Sequence, residues 1–302
     1  MNVKVENYRE INLALVNKIF NQGLVKEAAD SFTGFVRTYL REQGILRRAL
    51  PPEIVGPDDI DRVDWTDNPV KILEFQVDSK AYSVPFRGKG EMKEYHGKRA
   101  VVEIVQYETD VFHIEKQRMM TYRHPVQEVL IQQGILDLQR AEDETFMEAL
   151  NKIATDNKKT VTISTGGSLT WDGLVEAFKA FRKSRPADRQ VPIKTIIINE
   201  NTYDDLKKLP LTMFAPNFNE TIIKEGNVGN LFNLNWVTTN KIDLVPDNTL
   251  YLLSSREYLG GFYLMQDATV YMKVEKTRLE WNVYELAGVG LVTDAILKVT
   301  LV

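Results

Sequence analysis

The sequence predicts an α+β fold organised around one long helix. A strand-forming hairpin between Leu73 and Ile114 runs into an amphipathic stretch from Pro125 to Asn157. In IKTIIINENTYDDLKKLP, an all-apolar strand around Ile196–Ile198 is followed by a capping asparagine and a short helix. From Leu250 to Val302 nearly everything is strand patterned, with Val270, Met272 and Val274 alternating with Tyr271, Lys273 and Glu275.

The N-terminal segment is helical in pattern. Ile11, Leu15 and Ile19 with Leu13, Val16 and Phe20 mark one apolar stripe, and Phe32, Phe35, Val36, Tyr39 and Leu40 mark a second. Pro51-Pro52 and Gly56-Pro57 then end any helix, because proline lacks the amide and restricts its predecessor. Glu53 to Asp67 is an acidic strap: Glu53, Asp58, Asp59, Asp61, Asp64 and Asp67 against Arg62 alone leave a local charge of −5. In the hairpin, Leu73, Phe75 and Val77 alternate with polar residues as a half-buried strand requires. Its tip, Lys80 to Lys98, has Gly88, Gly90 and Gly97, no apolar cluster, and a local charge of +3.

Pro125 suits a first helical turn, where the amide it lacks would have no partner. Only Gly134 interrupts the stretch that follows, and at 1.5 Å per residue the helix would be roughly 50 Å long. Thr160–Ile163 reads as a strand, Thr165-Gly166-Gly167 as a turn, and Ser168 or Thr170 as the cap of a helix carrying Leu174, Val175, Ala177, Phe178 and Phe181. Pro186 closes it. Asn199 or Asn201 caps the next helix, NLFNLNWVTTN is a strand, and Ile296–Leu301 closes the chain.

With 302 residues, one large domain or a few intertwined subdomains are expected. A hydrophobic content of 43% supports a real core, and a net charge of −4 gives no footprint for tight nucleic-acid binding. No apolar run is long enough to span a membrane, and MNVKVENYRE is too polar for a signal peptide, so use without secretion is expected. The absence of cysteine excludes disulfides, thiolate metal sites and a cysteine nucleophile.

Catalytic signals are weak. His96 and His113 fall in the hairpin and His124 at the helix start, none at the end of an α/β strand where a catalytic pocket forms. Their spacing offers no metal site, and Gly90…Gly97-Lys98 has the wrong spacing for a phosphate loop. Glu142, Asp143 and Glu144 are consecutive, so they point around the helix and read as a solvated face. Trp171, Trp236 and Trp281 read as core or interface anchors. No catalytic residue, cofactor or metal ligand is expected, although an α+β hydrolase with His113 or His124 in a pocket is the reading from another class. A hairpin that cannot bury its own tip, beside so long a helix, points to a chain that completes its structure against copies of itself.

The order of elements resembles the major capsid proteins of tailed bacteriophages, the Hong Kong 97 fold that encapsulin shells also use. EGNVGNLFNLNWVTTNKI and VYELAGVGLVTDAILKVTLV resemble, respectively, the glycine, apolar strand and polar turn of that family's A domain and its closing segment. The resemblance implies an N-terminal arm at 1–67, an E-loop hairpin at 68–118 and a spine helix within a P domain at 119–165. It places the A domain at 166–265 and the P domain's return strands at 266–302. The implied function is that of a major capsid subunit, assembling as hexamers and pentamers into an icosahedral shell around double-stranded DNA. The alternative is an encapsulin-type compartment holding a cargo protein. Implied partners are the chain itself, a separate scaffolding protein, a portal and decoration proteins, with DNA packaged without specific binding and no membrane. The expected location is the virion capsid, assembled in the host cytoplasm. The opposite charges of tip and strap suggest an inter-subunit contact between Arg87, Lys89 and Lys93 on one side and Asp58, Asp59 and Asp61 on the other.

Overall fold

The computed structural model describes residues 7–75, 98–121, 126–185, 190–208 and 233–302. Helix α1 (Asn7–Val16) continues through a π-helical turn, Asn17–Asn21, and is followed by α2 (Val25–Gln43) and α3 (Ile45–Ala49). Both predicted stripes reach the core, at Val16 and Ile19 and at Phe32 and Val36, while Ile11 and Leu13 are left exposed. After the proline pair, the strap is pinned to the body. Its first strand, β1 (Glu53–Ile54), Val55 is buried behind it, and its last strand, β2 (Asp61–Val63), runs on into β3 (Thr66–Phe75). The returning arm of the hairpin is β4 (Lys98–Glu103).

The predicted run from Ala100 to Ile114 divides. Ile104 turns inward and its N–H donates to the Pro69 carbonyl at 2.9 Å, which ends the hairpin. The next two strands, β5 (Val105–Glu108) and β6 (Phe112–Glu115), pair with a different sheet. Then come α4 (Lys116–Thr121) and the long helix α5 (Val126–Asp156), within one residue of the expected span at each end. The glycine within it has a packing reason: a Cβ on Gly134 would lie 3.0 Å from a Val283 methyl, so the helix rests closely on the sheet behind it.

The second half begins with β7 (Thr160–Ile163), α6 (Trp171–Lys183), β8 (Ile193–Asn199) and α7 (Glu200–Tyr203). Strands β9 (Asn235–Thr239) and β10 (Thr249–Ser254) and the short α8 (Arg256–Leu259) follow. The chain ends with β11 (Gly260–Glu275), β12 (Arg278–Leu291) and β13 (Ile296–Leu301). Of the caps left open by the sequence, Thr170 and Asn199 serve. The Thr170 hydroxyl accepts from the Gly173 N–H at 3.1 Å, and the Asn199 side-chain oxygen accepts from the Asn201 N–H at 2.9 Å. Thr170→Ala removes that acceptor and should cost about 1 kcal/mol, read as a small fall in calorimetric melting temperature with unchanged helix content.

Three sheets result. The first has the order β7-β13-β10-β8-β9 and is covered on both faces. Leu174, Ala177 and Phe181 of α6 pack on one side against Ile196, Ile198, Leu250 and Leu252. On the other, Leu46, Phe146 and Leu150 from α3 and α5 meet Ile197, Tyr251, Leu253 and Ile296. Burial on both faces is why β8 and β10 read as unbroken apolar runs. The second sheet runs β1-β11-β12-β5, with β6 also paired to β12, and α1, α2, α4 and α5 pack on it through Val16, Phe32, Met119, Leu138, Val270, Trp281 and Val283. The third, β2-β3-β4, is the base of the hairpin together with the end of the strap.

The last strand departs from its expected place beside the return strands. β13 lies inside the first sheet, antiparallel to β10 and parallel to β7. Ile296, Leu297, Val299 and Leu301 are all buried, and only a position between two strands, with helices on both faces, hides all four.

Candidate functional site

The four elements that meet at the centre of the subunit each contribute a charged group. Arg47 projects from α3, a five-residue helix whose apolar side chains, Ile45, Leu46 and Ala49, are all core. Its guanidinium donates from Nε to both oxygens of Glu142, at 2.9 and 3.1 Å, and from Nη2 to Oε1 of the same carboxylate at 2.7 Å. Nη2 also donates to Glu285 Oε2 at 2.7 Å, and Nη1 to Asp267 Oδ1 at 2.9 Å. The ring of Phe262 lies against it, 5.8 Å from the guanidinium carbon. A planar fork with five donors can serve three carboxylates at once, which an ammonium cannot.

Each carboxylate arrives for a local reason. Glu142 sits in the apolar row Leu138, Glu142, Phe146, Leu150, spaced by four along α5 and therefore on its buried face. Glu285 lies between Val283 and Ala287 on the buried side of β12. Asp267 lies where the pairing of β11 with β12 is irregular, between Gln266 and Thr269. Arg37 of α2 grips this irregularity by donating to the Ala268 and Asp267 carbonyls, at 2.8 and 3.2 Å. It also stands 3.7 Å from Asp267 Oδ2.

Asp143, the next residue on α5, serves a different pair. Its Oδ1 accepts from the Leu46 N–H at 2.9 Å, and its Oδ2 accepts from Lys241 Nζ at 2.8 Å, in the loop after β9. Adjacent acids on one helix thus tie α3 to both large sheets. The expectation of a solvated face is overturned for Glu142 and Asp143, both 0% exposed. It holds for Glu144, which pairs at the surface with Arg140. The missed signal was that Glu142 and Asp143 continue the rows of Leu138, Phe146 and Leu150 and of Ile135, Gln139 and Met147, which are themselves buried.

Burial above all, and then the neighbouring Glu142, push the Glu285 carboxyl up to about 10 in spite of Arg47. For Arg47, burial works against the charge, but Glu142 foremost, with Glu285 and Asp267, holds the guanidinium above its usual range. Burial also raises the Tyr107 phenol, the cross-strand neighbour of Glu285. The junction ties helices to sheet through three carboxylates, Glu142, Asp267 and Glu285, and two guanidiniums, Arg47 at its centre and Arg37 beside Asp267. Among the described residues no group of three or more His, Asp or Glu side chains is arranged to hold a metal ion.

The residues expected at a subunit boundary are placed only in part. Asp58 and Asp59 lie on the turn Pro57–Asp59 and Asp61 opens β2, all three exposed. Arg87, Lys89 and Lys93 lie outside the described residues, as do His96 and His124, whereas His113 is exposed on β6. Glu53, another acid of the strap, is engaged within the subunit by Lys71, at 2.9 Å, and by Arg256. Trp236 and Trp281 are core residues, the latter stacked on Phe112. Trp65, in the turn between β2 and β3, is 64% exposed.

The family model for phage capsid proteins matches residues 102–299, from the hairpin's returning arm to the last strand. Among curated proteins there is no match. Among solved structures, the chain is similar to the asymmetric unit of the bacteriophage PhiM1 mature capsid, with a TM-score of 0.57 at 9% identity, covering 84% of this chain and 86% of that one. It is also similar to a structure from Mycobacterium phage Che8, with a TM-score of 0.54 at 11% identity and coverage of 78% and 85%. A third likeness is to the capsid of the cyanophage P-SCSP1u, with a TM-score of 0.53 at 11% identity and coverage of 78% and 84%. The fold is therefore of the Hong Kong 97 type, with helices and sheets both present.

Proposed function

The chain belongs to the phage capsid protein family and forms the shell of the virion, and from that premise we propose how its parts are used. Subunits assemble as hexamers and pentamers into an icosahedral shell around double-stranded DNA, in the host cytoplasm, with scaffolding, portal and decoration supplied by separate proteins. The chain acts as structure and not as an enzyme. The observation that carries this reading is the family match across 102–299, which takes in the long helix and the strands of both five-stranded sheets.

Within this reading the domain borders follow the sheets. The axial domain is the sheet β7-β13-β10-β8-β9 with α6, and the peripheral domain is α5 with the β11–β12 sheet, so Thr160–Ile163 and Ile296–Leu301 move to the axial side of the borders drawn at 166 and 265. Expression in bacteria, with and without the phage's scaffolding protein, tests the whole reading by electron microscopy. Closed shells of uniform size that need no cargo support it. Uniform shells that always carry a co-purifying enzyme would favour the compartment, and a subunit monomeric under every condition would overturn both.

The hairpin tip, through Arg87, Lys89 and Lys93, lies over an adjacent subunit near that subunit's strap, where Asp58, Asp59 and Asp61 are exposed. One exposed ion pair is worth only ~0–1 kcal/mol, but the contact recurs at every subunit boundary. Reversing all three bases to glutamate should lower shell yield or shell melting and leave the free subunit's helix content unchanged. High salt should weaken the native shell in the same direction, since exposed charges are screened beyond about 8–10 Å. Normal shells with unaltered melting from the triple reversal would remove this contact from the scheme.

A further inference from the structure

We infer that the junction around Arg47 is a proton-held latch: Glu285 is carried neutral in the folded subunit, and its ionisation in alkali loosens α3 from the long helix and the β11–β12 sheet. The geometry supplies the reason. One guanidinium faces Glu142, Asp267 and Glu285, and Glu142 and Glu285 are both 0% exposed. With all three carboxylates ionised, the joint would hold more negative than positive charge even with Arg37 counted beside Asp267, and buried like charges this close do not all ionise.

The hydrogen bonds decide which acid keeps the proton. Glu142 accepts three times from Arg47, so both of its oxygens are met by the cation. Asp267 is partly exposed, accepts from the Ala268 N–H at 2.9 Å, and has Arg37 as a second cation. Glu285 accepts once, through Oε2, and its Oε1 is buried with no hydrogen-bond partner. The other elements packed around it bring no compensating charge. Tyr107 on β5 is a phenol bonded to Thr145 of α5, Arg37 on α2 is spent on Asp267 and its neighbours, and Lys241 is held by Asp143. Arg48, next to Arg47 on α3, points the other way, donating to the Thr238 carbonyl. Glu285 is the group with the least support for a charge.

The direction of the pH effect follows. An acid whose folded value, about 10, stands above its ordinary 4.5 binds its proton more tightly folded than unfolded. Its contribution is complete below 4.5 and is lost as the pH climbs toward 10, so the latch weakens in mild alkali, not in acid. Neutral Glu285 still accepts from Arg47 through its carbonyl oxygen. Ionised, it faces Glu142 across the same guanidinium, and the strain is relieved by parting α3 from α5.

The test is thermal melting of free full-length subunits from pH 6 to pH 10, for the native chain and for Glu285→Gln, which fixes the neutral shape. The variant should melt within a few degrees of the native chain at pH 7, and the native chain should fall below it by about 10 °C at pH 10. Infrared spectra of the native chain at pH 7 should show a protonated carboxyl band that Glu285→Gln lacks and that fades as the pH is raised to 10. Parallel melting curves for the two proteins would overturn the latch, as would a protonated-carboxyl band common to both. A Glu285→Gln subunit that unfolds or melts far lower at pH 7 would overturn it as well, since the charge would then have been required. The readout is the subunit alone, so its outcome is separate from that of the shell experiment.

Discussion

Arg47→Ala should unfold the centre of the subunit, at a cost of about 3–5 kcal/mol, the usual penalty for removing one partner of a buried ion pair. The size follows from what is left behind. Glu142 loses three hydrogen bonds and Asp267 and Glu285 lose one each, with Glu142 and Glu285 both wholly buried. The guanidinium also packs on Phe262, so the truncation opens a void in the core as well as stranding charge. Arg47→Lys should recover little, because a single ammonium cannot reach both Glu142 and Asp267 with the geometry of a fork. Urea denaturation of free subunits gives the magnitude. If Arg47→Ala melted within a degree or two of the native chain, the junction would be a bystander to stability.

The pattern of what could be read from the sequence has a physical basis. The long helix was legible because its apolar residues recur over many turns, and periodicity accumulates with length. The strands β8 and β10 were legible because sheets buried on both faces need unbroken apolar runs. The capping residues were narrowed to pairs and no further, because Ser168 and Thr170 have the same chemistry and only the chain path decides between them. The break at Ile104 was hidden, since one apolar residue among valines carries no sign that the chain leaves one sheet for another. Likewise the membership of β13 depends on strands distant in sequence, at 160–163 and 249–254.

The central joint was illegible for a different reason. A carboxylate on an apolar stripe is read as solvated unless its partner is known, and the partner, Arg47, stands 95 residues away from Glu142. Arg47 itself follows two apolar residues and precedes Arg48, an arrangement that reads as an ordinary basic turn. Only when α3, α5, β11 and β12 are brought together does the constellation exist. For the same reason Asp58, Asp59 and Asp61, all exposed, were legible as a charge run, whereas the contact proposed for them would need a second chain.

Gly288→Ala should leave a folded subunit that assembles poorly, because it displaces the base of the hairpin. β12 passes beneath β4 at Gly288 and Gly290, and the strands approach so closely that neither position has space for a side chain. A Cβ on Gly288 would lie 2.5 Å from the Glu103 carbonyl oxygen, a backbone atom that cannot turn aside. A Cβ on Gly290 would instead overlap the side chain of Val102. The local cost of such overpacking is about 1–3 kcal/mol, which a subunit of this size tolerates. The geometric consequence is larger. β3 alone, at ten residues, extends about 33 Å, so a small tilt where β4 meets β12 is amplified along the arm. Far-ultraviolet circular dichroism of Gly288→Ala should match the native subunit, its melting should fall by several degrees, and its yield of closed shells should fall much further. Gly290→Ala offers the control. Its obstacle is a side chain, so Val102→Ala in the same molecule should restore assembly, whereas no side-chain change relieves Gly288→Ala. Full shell yield from Gly288→Ala would show that the hairpin is aimed by something other than its contact with β12.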